Sequence, residues 1–129
     1  MKPMLMVIRE PIDSLVAGLC SAIEHARATG STLGIGWAAR ALGHIAQARG
    51  ALGDAHDHLR EALRAFEASE AGFEIARTRF DLAALARARG DASATVACLA
   101  EAARHFRALG IPRWVERVEE HVRAWGTAT

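Results

Sequence analysis

The side chains best suited to molecular recognition in this sequence are arginines. Arg40, Arg77 and Arg87 lie in alanine-rich stretches, and a planar guanidinium matches the two oxygens of a carboxylate. We therefore expect them to recognise a carboxylate or an acidic peptide. The alternative is that they are solvated or pair with Asp81 and Glu120, since exposed ion pairs are common and weak.

One short run, residues 54–58, could bind a metal ion. Its Asp54 and His58 are one helical turn apart, so both could reach the same ion. No third ligand occurs at a matching spacing. The acidic residues fit better as the polar start of a helix, where negative charge is favourable. We expect neither a metal nor a cofactor.

Signatures of catalysis are weak. Gly34-x-Gly36 lacks the third glycine and the preceding strand of a dinucleotide-binding turn, and we interpret it as room for two closely packed helices. The six histidines are scattered, and none stands beside a nucleophile or carboxylate in an arrangement that demands catalysis. The sequence therefore indicates a protein that is not an enzyme.

Composition indicates one globular domain. The chain has 129 residues, of which 51% are hydrophobic and 24% charged, and its formal net charge is +1. Such a weak charge does not favour nucleic-acid binding. No apolar run approaches the roughly 20 residues that cross a bilayer, and the N-terminus lacks a convincing signal peptide. Cys20 and Cys98 are expected to be reduced core residues of a cytoplasmic protein.

An internal repeat organises the chain. Ala48-Arg49-Gly50 recurs as Ala88-Arg89-Gly90. Eight further residues also recur at the same interval: Leu42, Ala46, Leu59, Glu61, Ala62, Arg64, Phe66 and Ala68 match Leu82, Ala86, Leu99, Glu101, Ala102, Arg104, Phe106 and Ala108. A period of about 40 residues is typical of stacked helical hairpins. The sequence predicts an all-α solenoid of about six antiparallel helices.

Capping and turn residues predict where these helices begin and end. Pro11 starts the first and Gly30 ends it, Ser31 or Thr32 caps the second, and Gly72 marks the turn into the fourth. The predicted buried positions include Leu33 and Val96. The third helix begins near Leu52, the fifth follows Gly90, and Pro112 opens the sixth. The domain is residues 12–125, after an N-terminal segment 1–11 and before a flexible tail 126–129.

These motifs resemble tetratricopeptide-type repeats over residues 12–125. The matching series are Gly50, Leu52, Ala55, Leu59, Ala62 and Phe66, and then Gly90, Ala92, Leu99, Ala102 and Phe106. Phe106-x-x-Leu109-Gly110 and Pro112-x-Trp114 are similar to one subclass. That subclass is the long repeat arrays of bacterial signal-transduction ATPases, LuxR-type regulators and nucleotide cyclases.

The resemblance implies a right-handed solenoid whose first helix in each pair lines a concave face. Its partner-binding side chains would be Trp37, Arg40, His44, Gln47, Arg77, Phe80, Asp81, Arg87 and Arg117, joined by Glu120 and His121. The implied function is a non-catalytic interaction module that takes an acidic or helical protein segment, as the C-terminal part of a bacterial signalling or transcriptional regulator. The alternative is a small-molecule sensor with an enclosed pocket around Trp37, His44 and Phe80.

Two further expectations concern large apolar residues. Trp37 either anchors a partner side chain or packs against the first helix. The end helices would expose apolar surface. We therefore expect Met4 to Ile8 to cover one end, or a homodimer to form through the first helix or through Trp114, Val118, Val122 and Trp125.

Overall fold

Six helices make up the part of the protein that the structure describes. This computed structural model describes the backbone of residues 4–126 and the side chains of residues 11–125, and no strand occurs in that range. The helices are α1 Met4–Thr29, α2 Thr32–Ala48, α3 Leu52–Ala68, α4 Gly72–Ala88, α5 Ala92–Ala108 and α6 Pro112–Gly126. The four central helices are each 17 residues long. The predicted all-α helical-repeat solenoid is confirmed.

Each helix packs on the next, and the hairpins α2–α3 and α4–α5 share the most extensive contacts. Phe66 and Phe106 occupy equivalent places in the two hairpins, and both side chains are completely buried. Full burial of such a side chain contributes about 1.5–3 kcal/mol. Around them the core consists mainly of alanine and leucine, and the small alanine side chains let the helices lie close together.

Left-handed residues recur at regular positions between the helices. Glycine occupies four of them, at 30, 50, 90 and 110, while Glu70 takes the fifth with φ 53°. Gly72, predicted to mark the turn into the fourth helix, is the first residue of α4, and the left-handed residue of the turn is Glu70. The absence of a side chain at Gly72 leaves room for Leu109, because a Cβ there would lie 3.0 Å from Leu109 Cδ2.

Glycine also allows α2 to pack closely on α3. A Cβ on Gly36 would lie 2.5 Å from Phe66 Cε1, and one on Gly43 would lie 2.9 Å from Leu59 Cδ2. Both distances are shorter than packed carbon atoms tolerate. The interpretation of Gly34-x-Gly36 as room for two helices is confirmed at Gly36.

The first helix starts earlier than the sequence predicted. It begins at Met4 and carries Pro11 in its interior, so the expected start at Pro11 is wrong. Proline removes one backbone donor from a helix, and here the helical turns on both sides continue past it. The proposed covering role of residues 4–8 concerns side chains outside the described ones, and residues 127–129 of the predicted tail also lie outside the described range.

Several side chains that were expected in the core are exposed. Cys20 is on the surface, whereas Cys98 is partly buried, and both are free thiols. Leu33 is 38% exposed and Val96 is 61% exposed. Leu33 corresponds to Phe73, which packs on Trp114, but the residue of α4 that corresponds to Trp114 is the acidic Glu74. Val96 lies on a side of α5 that none of the described helices covers.

The predicted dimerisation patch on α6 does not form one exposed surface. Val118 is completely buried inside the chain, in the cluster that contains Phe106. Trp114 and Trp125 are partly buried against the same cluster, so only Val122 is largely exposed, at 45%. Within residues 4–126, none of the helices combines the length and hydrophobicity needed to cross a bilayer.

Substituting Gly36 should test the close packing of α2 on α3. Gly36→Ala forces a methyl group into the Phe66 ring, and we expect a loss of about 2 kcal/mol in the free energy of unfolding. The matched control is Gly18→Ala, at a position inside a helix where a Cβ meets nothing within 4 Å. This substitution should raise the free energy of unfolding by about 1 kcal/mol. Urea denaturation measures both, and equal effects would contradict the packing.

Glu70 offers a test of the turn. A residue with a side chain costs about 1 kcal/mol or more in the left-handed region. Glycine avoids this cost, but it also raises the conformational entropy of the unfolded chain, which offsets part of the gain in stability. We expect Glu70→Gly to raise the free energy of unfolding by about 0.5 kcal/mol. Gly50→Ala, at an equivalent turn, should lower it by about 1 kcal/mol. A destabilised Glu70→Gly variant would refute this assignment.

Candidate functional site

Side chains from the even-numbered helices meet on one surface, which we call the α2–α4–α6 face. Arg40 of α2 contacts Glu74 of α4, and Phe80 of α4 contacts His121 of α6. The face comprises the sequence-predicted residues Trp37, Arg40, His44, Gln47, Arg77, Phe80, Asp81, Arg87, Arg117, Glu120 and His121. The repeat explains the arrangement, because equivalent positions of successive hairpins project in the same direction.

Charge is neutralised where α2 meets α4. Arg40 forms an ion pair with Glu74, with side chains only 17% and 21% exposed, and its guanidinium also lies 5.4 Å from the centre of the Phe66 ring. The expected pairing of these arginines with Asp81 or Glu120 is therefore wrong for Arg40, whose partner is Glu74. Arg40 is already occupied and is a poor candidate for contacting a partner.

A second polar contact lies one turn further along α2 and about two turns further along α4. His44 Nε2 is 3.1 Å from Asp81 Oδ2, although the two atoms lack the geometry of a hydrogen bond and Oδ2 is buried without one. The contact becomes an ion pair whenever the imidazole is protonated. Two acidic residues of α4 thus face two basic residues of α2.

Aromatic side chains fill the junction of α4 and α6. Phe80 lies edge-on to His121, with ring centres 4.9 Å apart. It also contacts Trp114 at 6.2 Å and Trp125 at 6.4 Å. Offset and edge-to-face pairs of this kind contribute about 0.5–1.5 kcal/mol beyond their buried area. The cluster therefore forms a rigid apolar surface.

Three arginines lie on the rings of this cluster. The guanidinium carbons of Arg77 and Arg117 lie 5.2 Å and 4.9 Å from the Trp114 ring, and that of Arg87 lies 5.0 Å from Trp125. A cation at this distance is attracted by the ring face. Among the described residues, none of the three has a carboxylate within ion-pair distance, so this half of the face keeps its positive charge.

Trp37 stands apart from the cluster. Half of its surface is exposed, and it belongs to none of the buried cores. Leu33, one helical turn earlier, is also exposed, and residues four apart lie on the same side of a helix. The exposed half of Trp37 is accessible to a partner side chain. Gln47 and Glu120 lie on the same face but take no part in the contacts described above.

The sequence analysis missed the role of the two tryptophans on α6. Trp114 and Trp125 were assigned to a dimer interface, whereas they support the arginines of the α2–α4–α6 face. Their spacing with His121 places all three on one side of a helix, and this signal could have linked them to Phe80.

Two cavities in the structure lie away from this face. One of about 360 Å³ is lined by residues of α3, α4 and α5, and one of about 320 Å³ surrounds Ile111 and Val115. Neither includes Trp37, His44 or Phe80, which the small-molecule alternative would place in a pocket. Among the described residues, no group of three or more His, Cys, Asp or Glu side chains could hold a metal ion.

Comparison with known proteins assigns no family. No protein-family model, curated protein or solved structure matches this chain. The face is therefore interpreted from its own geometry.

The ion pair between α2 and α4 can be tested by reversal. Arg40→Glu places two carboxylates together at a mostly buried position, and we expect the free energy of unfolding to fall by about 2 kcal/mol. The charge swap, Arg40→Glu together with Glu74→Arg, should recover at least about half of that loss. Thermal or urea denaturation gives both values. No recovery in the double variant would show that the pair contributes nothing.

Proposed function

We propose that the protein is a non-catalytic interaction module whose α2–α4–α6 face binds an acidic segment of a partner protein. One observation carries this proposal. Arg77, Arg87 and Arg117 are held on tryptophan rings without a carboxylate partner in the described structure. On other surfaces, by contrast, Arg27 pairs with Glu61 and Arg107 pairs with Glu119.

Stacking on a ring prepares an arginine for an incoming carboxylate. The ring restricts the flat guanidinium, so less side-chain entropy is lost when its edge donates two hydrogen bonds. Arg77 and Arg117 share Trp114, and a segment with two or more acidic residues could satisfy both. Hydrogen bonds to charged groups contribute about 1.5–3 kcal/mol each.

Exposed apolar groups supply the second part of the recognition. Trp37 is half exposed and occupies the position on α2 that Arg77 occupies on α4. A large aromatic side chain of this kind is a typical anchor in protein interfaces. The preferred partner therefore combines acidic residues, which bind near α6, with an apolar residue, which binds near α2.

The distribution of charge favours a short acidic segment over a nucleic acid. Glu74 pairs with Arg40 and Asp81 adds a second negative charge beside His44, so positive charge is confined to the α4–α6 half. A nucleic-acid backbone is recognised along an extended row of cations, and the net charge of +1 provides none. A local cluster suits a few carboxylates.

The tetratricopeptide resemblance supports a context for this module. Repeats of about 40 residues with this motif series are similar to arrays in bacterial regulators. We accordingly propose a cytoplasmic signalling or transcriptional regulator as the setting, with the acidic segment supplied by another protein or by the same regulator.

A labelled peptide that contains four glutamates and one leucine tests the proposal by fluorescence polarisation. Arg77→Glu combined with Arg117→Glu should weaken its binding by at least about a hundredfold, since two charge-assisted contacts are lost. The matched control is Arg64→Glu, an exposed arginine of α3 that is absent from this face. Arg40 is unsuitable for this test because its substitution disturbs Glu74.

Two results would refute the proposal. One is unchanged peptide binding by the double variant while its circular dichroism remains helical. The other is equal weakening by Arg64→Glu, which would show a general charge effect without a defined site. Replacing the glutamates of the peptide by lysines should abolish binding.

A further inference from the structure

A groove on the other side of the molecule has chemistry that the proposed function does not use. It runs between α3 and α5 over the C-terminal half of α4, and it encloses a cavity of about 360 Å³. Arg60 and Arg89 line it together with Leu82 and Leu85. Its volume falls within the range of small-molecule pockets, about 300–1,000 Å³. We call it the back groove.

The back groove carries an excess of positive charge, because two arginines and one aspartate line it. Within the described structure, neither Arg60 nor Arg89 forms an ion pair. The acidic residue in the lining, Asp91, caps α5, where its Oδ1 accepts a hydrogen bond of 3.0 Å from the backbone N–H of Ala94. Two guanidinium groups thus face a cavity in which the single carboxylate is already hydrogen-bonded to a helix end.

Arg79 adds a third positive charge on this side of α4. It lies on the same side of α4 as Leu82, three residues before it, and its Nε is buried without a hydrogen-bond partner in the described structure. Burial raises the pKa of the Cys98 thiol in the cavity wall, and the charges of Arg79 and Arg60 offset part of that rise. Arg60 and Cys98 both line the cavity.

We propose that the back groove binds a small organic carboxylate. The carboxylate lies between Arg60 and Arg89, and the apolar body of the ligand packs on Leu82, Leu85 and the side chain of Cys98. Guanidinium groups pair with carboxylates through parallel hydrogen bonds, while leucine side chains favour a hydrocarbon body.

The cap of α5 argues against a phosphate ligand. Helix N-termini bind phosphate through free backbone N–H groups, but at this end the Asp91 side chain already accepts a hydrogen bond from the backbone N–H of Ala94. The leucine side chains of the cavity floor also offer no hydrogen-bond donor to a phosphate ion. A carboxylate with an apolar body fits both constraints.

Alkylation of the two cysteines provides a direct test, with hexanoate as the probe. Cys98 lines the cavity and Cys20 is exposed elsewhere, so one chain contains both the reporter and its control. Hexanoate at ten times its dissociation constant should slow alkylation of Cys98 by iodoacetamide about tenfold, leaving Cys20 unchanged. Mass spectrometry of the digested protein measures both rates.

Variants and other ligands make the test specific. Arg60→Met and Arg89→Met should each weaken hexanoate binding about tenfold, whereas Arg64→Met should leave it unchanged. Hexanol and inorganic phosphate should protect Cys98 weakly or not at all. Calorimetric titration with hexanoate checks the same ranking without relying on the thiol.

Three outcomes would overturn the proposal. Equal protection by hexanol would show that the cavity binds a hydrocarbon body without recognising a negative charge. Equal protection by phosphate would show that it binds anions without contacting a hydrocarbon body. Absence of both protection and calorimetric binding at high hexanoate concentration would exclude the site altogether. Loss of peptide binding at the α2–α4–α6 face has no bearing on these results, since the two surfaces are separate.

Discussion

The packing of one phenylalanine in each hairpin determines how the helices are arranged. Phe66 fills the space that Gly36 leaves open, and Phe106 lies in one cluster with Ala76 and stacks 5.1 Å from Trp114. Interiors packed at crystal density leave little freedom around such a ring. Each hairpin is therefore held at one angle, and repeating it places the even-numbered helices on one surface and the odd-numbered helices on the other.

This division separates two kinds of chemistry. The even-numbered helices place arginines on aromatic rings at an open surface. Such a surface suits an extended partner segment better than a small molecule. The odd helices leave a groove whose floor is supplied by α4, and such a groove can enclose a small molecule. Because α4 contributes Arg77 to one surface and Arg79 to the other, the same helix takes part in both.

Much of the fold could be predicted because the repeat constrains the backbone. Recurring glycines, leucines and phenylalanines fix helix lengths, turns and the buried side of each hairpin. The repeat does not determine which residue stands opposite on the neighbouring helix. Arg40 therefore pairs with Glu74 and Leu33 remains exposed, neither of which the sequence analysis predicted. Glu70 shows the same limit, since a left-handed turn is usually predicted from glycine.

The last helix explains why the aromatic cluster forms where it does. Phe73 and Ala76 of α4 pack against α5, its hairpin partner. The equivalent positions of α6 are occupied by the exposed residues Arg113 and Glu116. That side of α6 is therefore polar and exposed to solvent. Its aromatic residues lie on the opposite side, where they meet Phe80. The position of the arginine-bearing surface therefore follows from how α6 divides its polar and apolar residues.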